Sequence, residues 1–185
     1  MISTNDFQTG IAIEIEDQLY EVLEFQHVKP GKGNAFVRTK LKNLITGSNV
    51  DRTFRAGEKV KRAFLERKEM EYLYRQDNQY HMMDMESYEQ STLSIEQIGK
   101  GVKYLKENEK IKVVMHGQNV IGVDLPINVT LEISETEPGV KGDTASGASK
   151  TAKTETGLVV QVPLFINEGD RIKVDTRTGS YIERA

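Results

Sequence analysis

Short segments in which apolar and polar residues alternate recur along the whole chain, and they restrict its fold more than any other feature. Such alternation is typical of β-strands that bury one face. The first 65 residues contain five of these segments, separated by turns rich in Gly or Asn, at 11–16, 19–25, 35–41, 50–55 and 60–65. A sheet this small hides its edges best by curling on itself, so we predict a small half-open barrel.

A second run of such segments covers the middle of the chain. Its alternating stretches lie at 68–75, 80–85, 110–115 and 119–125. Between the second and third of them, Ser94 and Gln97 have the spacing of a helix-capping box, while Gly99 and Gly101 predict that the helix is short or broken. Two strand pairs around one short helix are typical of an OB-like barrel.

The last part of the chain contains four more strand-like segments, at 128–134, 158–162, 171–174 and 180–183. A long polar loop at 137–150 separates the first two, and a loop of this length in a compact domain commonly binds something or is disordered. The sequence therefore predicts an all-β protein with three consecutive barrels. We place them at residues 1–64, 65–127 and 128–185.

One turn within the first barrel is chemically distinctive. Residues 29–36 read Lys-Pro-Gly-Lys-Gly-Asn-Ala-Phe and lie between two predicted strands. Pro30 fixes its own φ angle, and Gly31 and Gly33 allow left-handed backbone angles, so the chain can reverse with no side chain beside Lys32. Taken alone, the turn fits either an ordinary hairpin with a solvated lysine or a lysine presented to a partner.

Charge is distributed unevenly, although the formal net charge is only −3. Residues 1–25 carry six acidic residues and no Lys or Arg. Residues 26–62 carry ten basic residues against two acidic ones, a net charge of +8. A block with so one-sided a charge favours a polyanionic partner, of which the phosphate backbone of a nucleic acid is the commonest.

No pattern typical of a catalytic or metal site occurs in the sequence. The chain has no cysteine, which removes thiolate nucleophiles and the common zinc sites. His27, His81 and His116 lie far apart without metal-ligand spacing, and no carboxylate stands beside an evident second acid or base. We therefore expect no catalytic residue, no metal and no cofactor.

The cellular location follows from the same kind of evidence. The N-terminus lacks a basic region followed by an apolar run, and no stretch approaches the ~18–20 apolar residues that span a bilayer. Together with the missing cysteines, this predicts a cytoplasmic protein that does not contact membranes. We expect it to be a monomer.

Two other classes of function stay open at this point. One is a β-barrel adaptor for proteins or oligosaccharides, since OB-like domains host both kinds of ligand, and the other is an enzyme with an unrecognised site. Tyr72, Tyr74 and Tyr80 lie on predicted strands, where core packing is a more frequent explanation than a base-stacking platform. The +8 block favours nucleic acid over an adaptor, which has no need of it.

Three motifs in order resemble the bacterial translation elongation factor P family over essentially the whole chain. The first is the turn at 29–36, followed by Lys-Leu-Lys-Asn-Leu at 40–44. The second is Glu-Pro-Gly-Val-Lys-Gly-Asp-Thr at 137–144. The third extends over 152–170 and ends in Thr-Arg-Thr-Gly-Ser-Tyr at 176–181. Three motifs in the same order are far more specific than any one of them.

This resemblance implies a KOW/SH3-like barrel followed by two OB-like barrels, in an L-shaped arrangement like a transfer RNA. It implies that the protein binds the ribosome beside the P-site peptidyl-tRNA and stimulates peptide bond formation at consecutive prolines. In this family the factor positions the tRNA end, and ribosomal RNA performs the chemistry. The implied partners are the ribosome, P-site tRNA, mRNA in the E site and a lysine-modifying enzyme.

The resemblance also implies roles for individual residues near the tip. Lys32 matches the family's tip lysine, which in many members carries a covalent extension toward the CCA end. The surrounding tip loop comprises Lys29, Pro30, Gly31, Gly33 and Asn34. From charge alone, the candidates for tRNA phosphate contacts are Arg38, Lys40 and Lys42.

Two further sites are implied in the last third of the chain. Gly142, Asp143 and Thr144 match a loop that family members place near the E-site codon. Tyr181 and Arg184 lie where the family has small-subunit or tRNA contacts. Family lineages differ in how they modify the tip lysine, and Pro30 beside the tip does not distinguish among these modifications.

Overall fold

The computed structural model describes residues 1–139 and 148–185, and β-strands account for most of them. The first sheet contains β1 (Ile2–Ser3), β2 (Ala12–Ile15), β3 (Gln18–Val28), β4 (Phe36–Asn43), β5 (Asn49–Arg55) and β6 (Lys59–Ala63). Its strands pair in the order β1-β6-β2-β3-β4-β5. A single 3₁₀ turn, Thr4–Asp6, follows β1.

The core of this sheet forms where the alternating strands turn their apolar side chains to one side. Ile13, Val22 and Val37 are completely buried, one on each of the three central strands. Phe54 of β5 packs edge-on against Phe7, with 5.7 Å between the ring centroids. Burial of such side chains contributes about 1.5–3 kcal/mol each, which makes this face the main source of stability for the sheet.

The five predicted segments of this region correspond to β2 through β6, and the structure adds β1. That strand pairs with β6 through Ile2 opposite Val60 and Ser3 opposite Lys59. Two residues are too few to display an alternating pattern, so this strand could not be predicted from the sequence.

The second sheet contains β7 (Glu66–Gln76), β8 (Gln79–Asp84), β9 (Gln90–Ser94), β10 (Lys110–His116) and β11 (Asn119–Asp124), in the order β11-β10-β7-β8-β9. The predicted short helix is confirmed as α1 (Ile95–Ile98), which continues as a 3₁₀ helix over Gly99–Tyr104. The capping box is formed on both sides. The Ser94 hydroxyl accepts from the Gln97 backbone N–H at 3.2 Å, and the Gln97 side chain accepts from the Ser94 N–H at 2.8 Å.

The three tyrosines of this sheet do not share one environment. Tyr72 and Tyr80 are 5% and 4% exposed, as expected of core residues. Tyr74 is 45% exposed, and its ring stacks on that of His81 with 4.3 Å between centroids. The core interpretation is therefore confirmed for two of the three and wrong for Tyr74.

The third sheet contains β12 (Asn128–Thr136), β13 (Ser149–Thr154), β14 (Val159–Pro163), β15 (Arg171–Asp175) and β16 (Tyr181–Arg184), in the order β14-β13-β12-β15-β16. No strand is predicted at β13, and the predicted loop at 137–150 overlaps its first two residues. The reason is its composition, Ser-Lys-Thr-Ala-Lys-Thr, in which the buried positions are Ala152 and Thr154. Neither side chain gives a strong apolar signal.

Contacts divide the chain into two compact units. The first unit consists of residues 1–67 and 114–122, and the second consists of residues 68–113 and 123–185. Within the first, Ile121 packs against a small cluster of Ala12, Leu19 and Ala63. Within the second, the Thr156 hydroxyl donates to the Lys103 carbonyl at 2.5 Å, and Lys106 pairs with Glu155 at 3.3 Å. The three domains at 1–64, 65–127 and 128–185 remain a proposal.

The described residues contain neither a membrane-spanning helix nor a cluster of metal-ligating side chains. No described helix is long and apolar enough to cross a membrane. Over 1–139 and 148–185, no group of three or more His, Cys, Asp or Glu side chains is placed to hold a metal ion.

Candidate nucleic-acid interface

The tip turn closes the hairpin between the two longest paired strands of the first sheet. The last pair of this ladder is Val28 opposite Phe36, which leaves residues 29–35 as the connecting loop. Lys32 lies at the middle of that loop and is exposed. At the end of the loop, the Ala35 carbonyl accepts a hydrogen bond from the Ala56 N–H at 3.0 Å, so the loop is fixed to the neighbouring strand at its base.

The two tip glycines have different conformations. Gly33 has a φ of +114°, in the region that side chains disfavour, and a Cβ placed on it would lie 3.8 Å from Cγ of Pro30. Gly31 is outside the left-handed region, and a Cβ there would meet nothing within 4 Å. Of the two glycines that allow left-handed backbone angles, only Gly33, directly after Lys32, adopts one.

The tip cations are not neutralised by other side chains. Within the described part of the chain, neither Lys29 nor Lys32 makes an ion pair or a side-chain hydrogen bond. Because both side chains are also exposed, their ammonium groups are available to an external anion.

The three predicted phosphate contacts form a row along β4. Arg38, Lys40 and Lys42 occupy alternate positions and are exposed, whereas Thr39 and Leu41 between them are buried. Alternate side chains on one face of a strand lie about 7 Å apart. The row is therefore a cationic stripe that begins next to the tip loop.

The neighbouring strands make the members of this stripe unequal. Lys40 lies opposite Glu24 of β3 and Asp51 of β5, so an acidic residue stands on each side of it. Lys42 lies opposite Glu21. Opposite charges directly across a ladder attract one another, which offsets part of the positive potential at these two lysines.

Arg38 differs from the two lysines because its cross-strand neighbours are uncharged. They are Gln26 on β3 and Thr53 on β5. Its guanidinium lies over the ring of Phe36, with 5.5 Å between Cζ and the centroid. The contact with the ring holds the planar guanidinium in place, and a guanidinium can bind a phosphate through two parallel hydrogen bonds.

Acidic residues of the first 25 positions fold back onto another part of the basic block. Arg52 pairs with Glu16 at 3.0 Å, and Lys61 pairs with Glu14 at 2.8 Å. The hydrogen bond that the Lys61 ammonium donates to Glu14, together with the charge of that carboxylate, raises the pKa of Lys61 above its ordinary value. The +8 of residues 26–62 therefore overstates the positive charge open to a partner.

Two aromatic rings near the tip have no role in the prediction from sequence. Phe25 and His27 of β3 meet edge to face, with 5.6 Å between centroids. In the sequence, His27 is a candidate only for a metal ligand, and it lacks metal-ligand spacing. The available signal was the presence of two rings at alternate positions directly before a cationic turn.

The predicted loop residues Gly142, Asp143 and Thr144 lie outside the described residues, but the chain entering that loop is described. Lys150 Nζ donates to the Glu137 carbonyl at 2.6 Å. At Gly139, an added Cβ would lie 2.5 Å from the Leu164 carbonyl oxygen. The segment before residue 140 is therefore packed closely against its own domain.

Tyr181 and Arg184 both lie on β16, and both already have partners within the protein. Tyr181 is half-buried against the core of the third sheet. An Arg184 guanidinium nitrogen lies 2.7 Å from a carboxylate oxygen of Asp170. An external contact at Arg184 would have to share this ion pair.

The turn before Tyr181 offers a direct check of the local geometry. The Arg177 guanidinium and backbone N–H donate to Asp175, and these bonds lower the pKa of that carboxyl group to about 2. We expect Arg177→Ala to raise this pKa part of the way toward the ordinary ~3.9, because the backbone donors remain. A carboxyl-carbon NMR titration measures it, with Arg184→Ala as the control that leaves Asp175 unchanged. An unchanged pKa in Arg177→Ala would contradict the assigned hydrogen bonds.

Comparison with known families accounts for nearly the whole chain. The family model for the KOW-like domain of elongation factor P matches residues 3–60, the one for its OB domain matches 65–123, and the one for its C-terminal domain matches 129–184. The elongation factor P of Pelotomaculum thermopropionicum is 59% identical over 184 residues, and that of Desulforudis audaxviator is 60% identical over 185. Each alignment covers 100% of both chains.

A solved structure shares the fold at lower identity. Eukaryotic translation initiation factor 5A from Methanococcus jannaschii superimposes with a TM-score of 0.53 at 18% identity, over 66% of this chain and 90% of that one. At this identity the likeness concerns the fold alone. The three family matches and the full-length relatives give the assignment, and the chain belongs to the elongation factor P family of translation elongation factors.

Proposed function

We propose that this protein binds the ribosome beside the P-site peptidyl-tRNA and speeds peptide bond formation between consecutive prolines. The observation that carries the proposal is the exposed Lys32, held at the end of a hairpin by a left-handed Gly33 and without an ion pair among the described residues. Such a group is suited to reach a partner. The proposal also places the protein in the cytoplasm, where ribosomes work.

The proposed mechanism is positioning and not side-chain catalysis. Proline is a conformationally restricted nucleophile, and a tRNA end held in a reactive arrangement removes part of the entropic barrier. The exposed Lys32 needs only to contact the tRNA end to act in this way, with or without a covalent extension made by a modifying enzyme. Transfer of the peptide remains a reaction of the ribosome.

Three other contacts belong to this proposal. The stripe of β4 lies against phosphates of the P-site tRNA, the loop with Gly142, Asp143 and Thr144 lies near mRNA in the E site, and Tyr181 and Arg184 contact the small subunit or tRNA. The support for the first is the exposure and spacing of the cations. The support for the other two is membership of the family.

The stripe provides a matched pair of variants for testing the RNA contact. We expect Arg38→Gln to lower the slope of log affinity for ribosomes against log salt by about 1, and Lys40→Gln to lower it by less than half of that. Each change removes one positive charge, so the difference reports direct phosphate contact. The reason is that Glu24 and Asp51 flank Lys40, whereas Arg38 has uncharged neighbours.

Co-sedimentation with 70S ribosomes carrying P-site tRNA, at several KCl concentrations, measures both slopes. Affinity of the parent that does not depend on salt would reject the phosphate contact and favour a protein or oligosaccharide ligand for the barrels. A larger loss of slope in Lys40→Gln than in Arg38→Gln would reject the ranking within the stripe.

A further inference from the structure

A β-bulge in β3 determines which way the strand presents its side chains near the tip. Val22 pairs with Leu41 and Glu24 pairs with Lys40, so Leu23 is an extra residue without a partner on β4. One extra residue reverses the alternation of the strand beyond it. Without the bulge, the strand beyond Leu23 would present its opposite face to the core.

The reversed alternation turns two aromatic rings toward the core side of the hairpin. Phe25 lies opposite Thr39 and His27 lies opposite Val37, and these two β4 residues are 4% and 0% exposed. The same reversal places Gln26 on the outer face, opposite Arg38. The strand thus separates an aromatic inner face from a polar outer face over only three residues.

The inner face leaves the core before the hairpin ends. Phe25 is half-buried and packs against the core cluster of the first sheet, whereas His27 is exposed although its partner Val37 is fully buried. The His27 ring is supported by the edge-to-face contact with Phe25 at 5.6 Å. An exposed ring held by a second, partly buried ring provides a fixed flat surface at the edge of the barrel.

The cations beside this surface indicate what kind of ligand it takes. Lys29 and Lys32 lie two and five residues after His27. Neither lysine has an ion-pair partner in the described part of the chain. Rings that stack on bases, next to cations that hold the backbone, are the usual elements of single-stranded RNA binding.

We propose that Phe25 and His27 form a stacking surface for one unpaired RNA base, which His27 contacts directly while the tip lysines hold the adjoining backbone. The inference rests on the proposed function, because the RNA that supplies this base is part of the ribosome complex. It adds a base contact on the inner face of the hairpin to the phosphate contacts of the outer face.

The test compares the parent with His27→Ala, His27→Phe and the outer-face control Gln26→Ala, binding to 70S ribosomes that carry P-site tRNA. We expect His27→Ala to bind about tenfold more weakly at every salt concentration with an unchanged salt slope, since stacking releases no counterions. His27→Phe restores the affinity, and Gln26→Ala binds like the parent. Chemical modification of the RNA bases, with dimethyl sulfate for adenine and cytosine and a carbodiimide for uracil and guanine, should show one base protected by the parent and by His27→Phe but not by His27→Ala.

Three results would overturn the inference while the proposed function stands. They are an affinity of His27→Ala equal to the parent, a His27→Phe variant as weak as His27→Ala, and a salt slope lowered by about 1 in His27→Ala, which would indicate a phosphate contact. A parent that does not bind these ribosomes overturns both the proposed function and the inference. Circular dichroism and thermal unfolding of each variant confirm that the exposed substitutions leave the fold intact.

Discussion

Lys32→Ala is expected to reduce translation through a polyproline reporter about 10- to 100-fold, to the level of cells that lack the factor. The side chain is exposed and has no ion pair among the described residues, so its removal should change the free energy of unfolding by less than about 0.5 kcal/mol. Function and stability should therefore separate. Reporter assays in a strain without its own factor, together with urea unfolding of the purified protein, measure the two quantities.

Two neighbouring variants show what Lys32 contributes. Lys29→Ala removes the same charge from the base of the loop and should reduce the rescue less than Lys32→Ala does. Lys32→Arg keeps the charge but removes the ammonium to which a covalent extension would be attached. Rescue by Lys32→Arg would indicate that charge at the tip suffices, and intact-mass analysis of natively produced protein shows directly whether Lys32 is extended. Full rescue by Lys32→Ala would exclude the tip as the working end.

Gly139→Ala is expected to destabilise the second compact unit by about 1–3 kcal/mol. The added Cβ would lie 2.5 Å from the Leu164 carbonyl oxygen and 3.2 Å from the Leu164 carbonyl carbon. Because the obstacle is backbone, it cannot turn aside as a flexible side chain would. The displaced segment precedes residue 140 directly, so reporter rescue should also fall although Lys32 is intact.

Gly122→Ala is the matched control for this change. Gly122 lies in β11, outside the left-handed region, and a Cβ there meets nothing within 4 Å. Urea unfolding of both variants measures the difference in the free energy of unfolding. A Gly139→Ala protein as stable as the parent would show that the close approach to Leu164 relaxes easily.

The fold was predictable wherever burial imposes alternation on apolar side chains. In β4, for example, Val37 and Leu41 are buried while Arg38 and Lys40 are exposed. Prediction failed where burial involves other residue types, as in β13 with Ala152 and Thr154. A threonine can enter a core when its hydroxyl has a partner, and Thr154 has one in Thr156 at 3.0 Å.

The candidate site was predictable at its tip and less so along its flank. Pro30, Gly33 and the resemblance of the turn to the family's tip motif predict that Lys32 is presented to a partner. The charges of the flank depend on which residues face one another across strands. Linear order separates Arg52 from Glu16 by 36 positions, yet their side chains pair. Only the register of the sheet distinguishes a paired cation from one open to a partner.

The inner face of the hairpin was beyond sequence reasoning for a related reason. A single unpaired residue, Leu23, decides whether Phe25 and His27 face the core side or the outer face. Alternation alone is compatible with either orientation, since a shift of one residue reverses every side chain that follows. The strand pairing in the folded hairpin shows that both rings face the core side.

We expect the factor to accelerate peptide bond formation between prolines by positioning, and one rate measures this directly. Purified ribosomes carrying a peptidyl-tRNA that ends in proline react with prolyl-tRNA, with saturating amounts of the parent, with Lys32→Ala or with neither. We predict a rate about tenfold or more higher with the parent than without it, and no acceleration when Lys32→Ala is bound. An unchanged rate on ribosomes that hold the parent would contradict it.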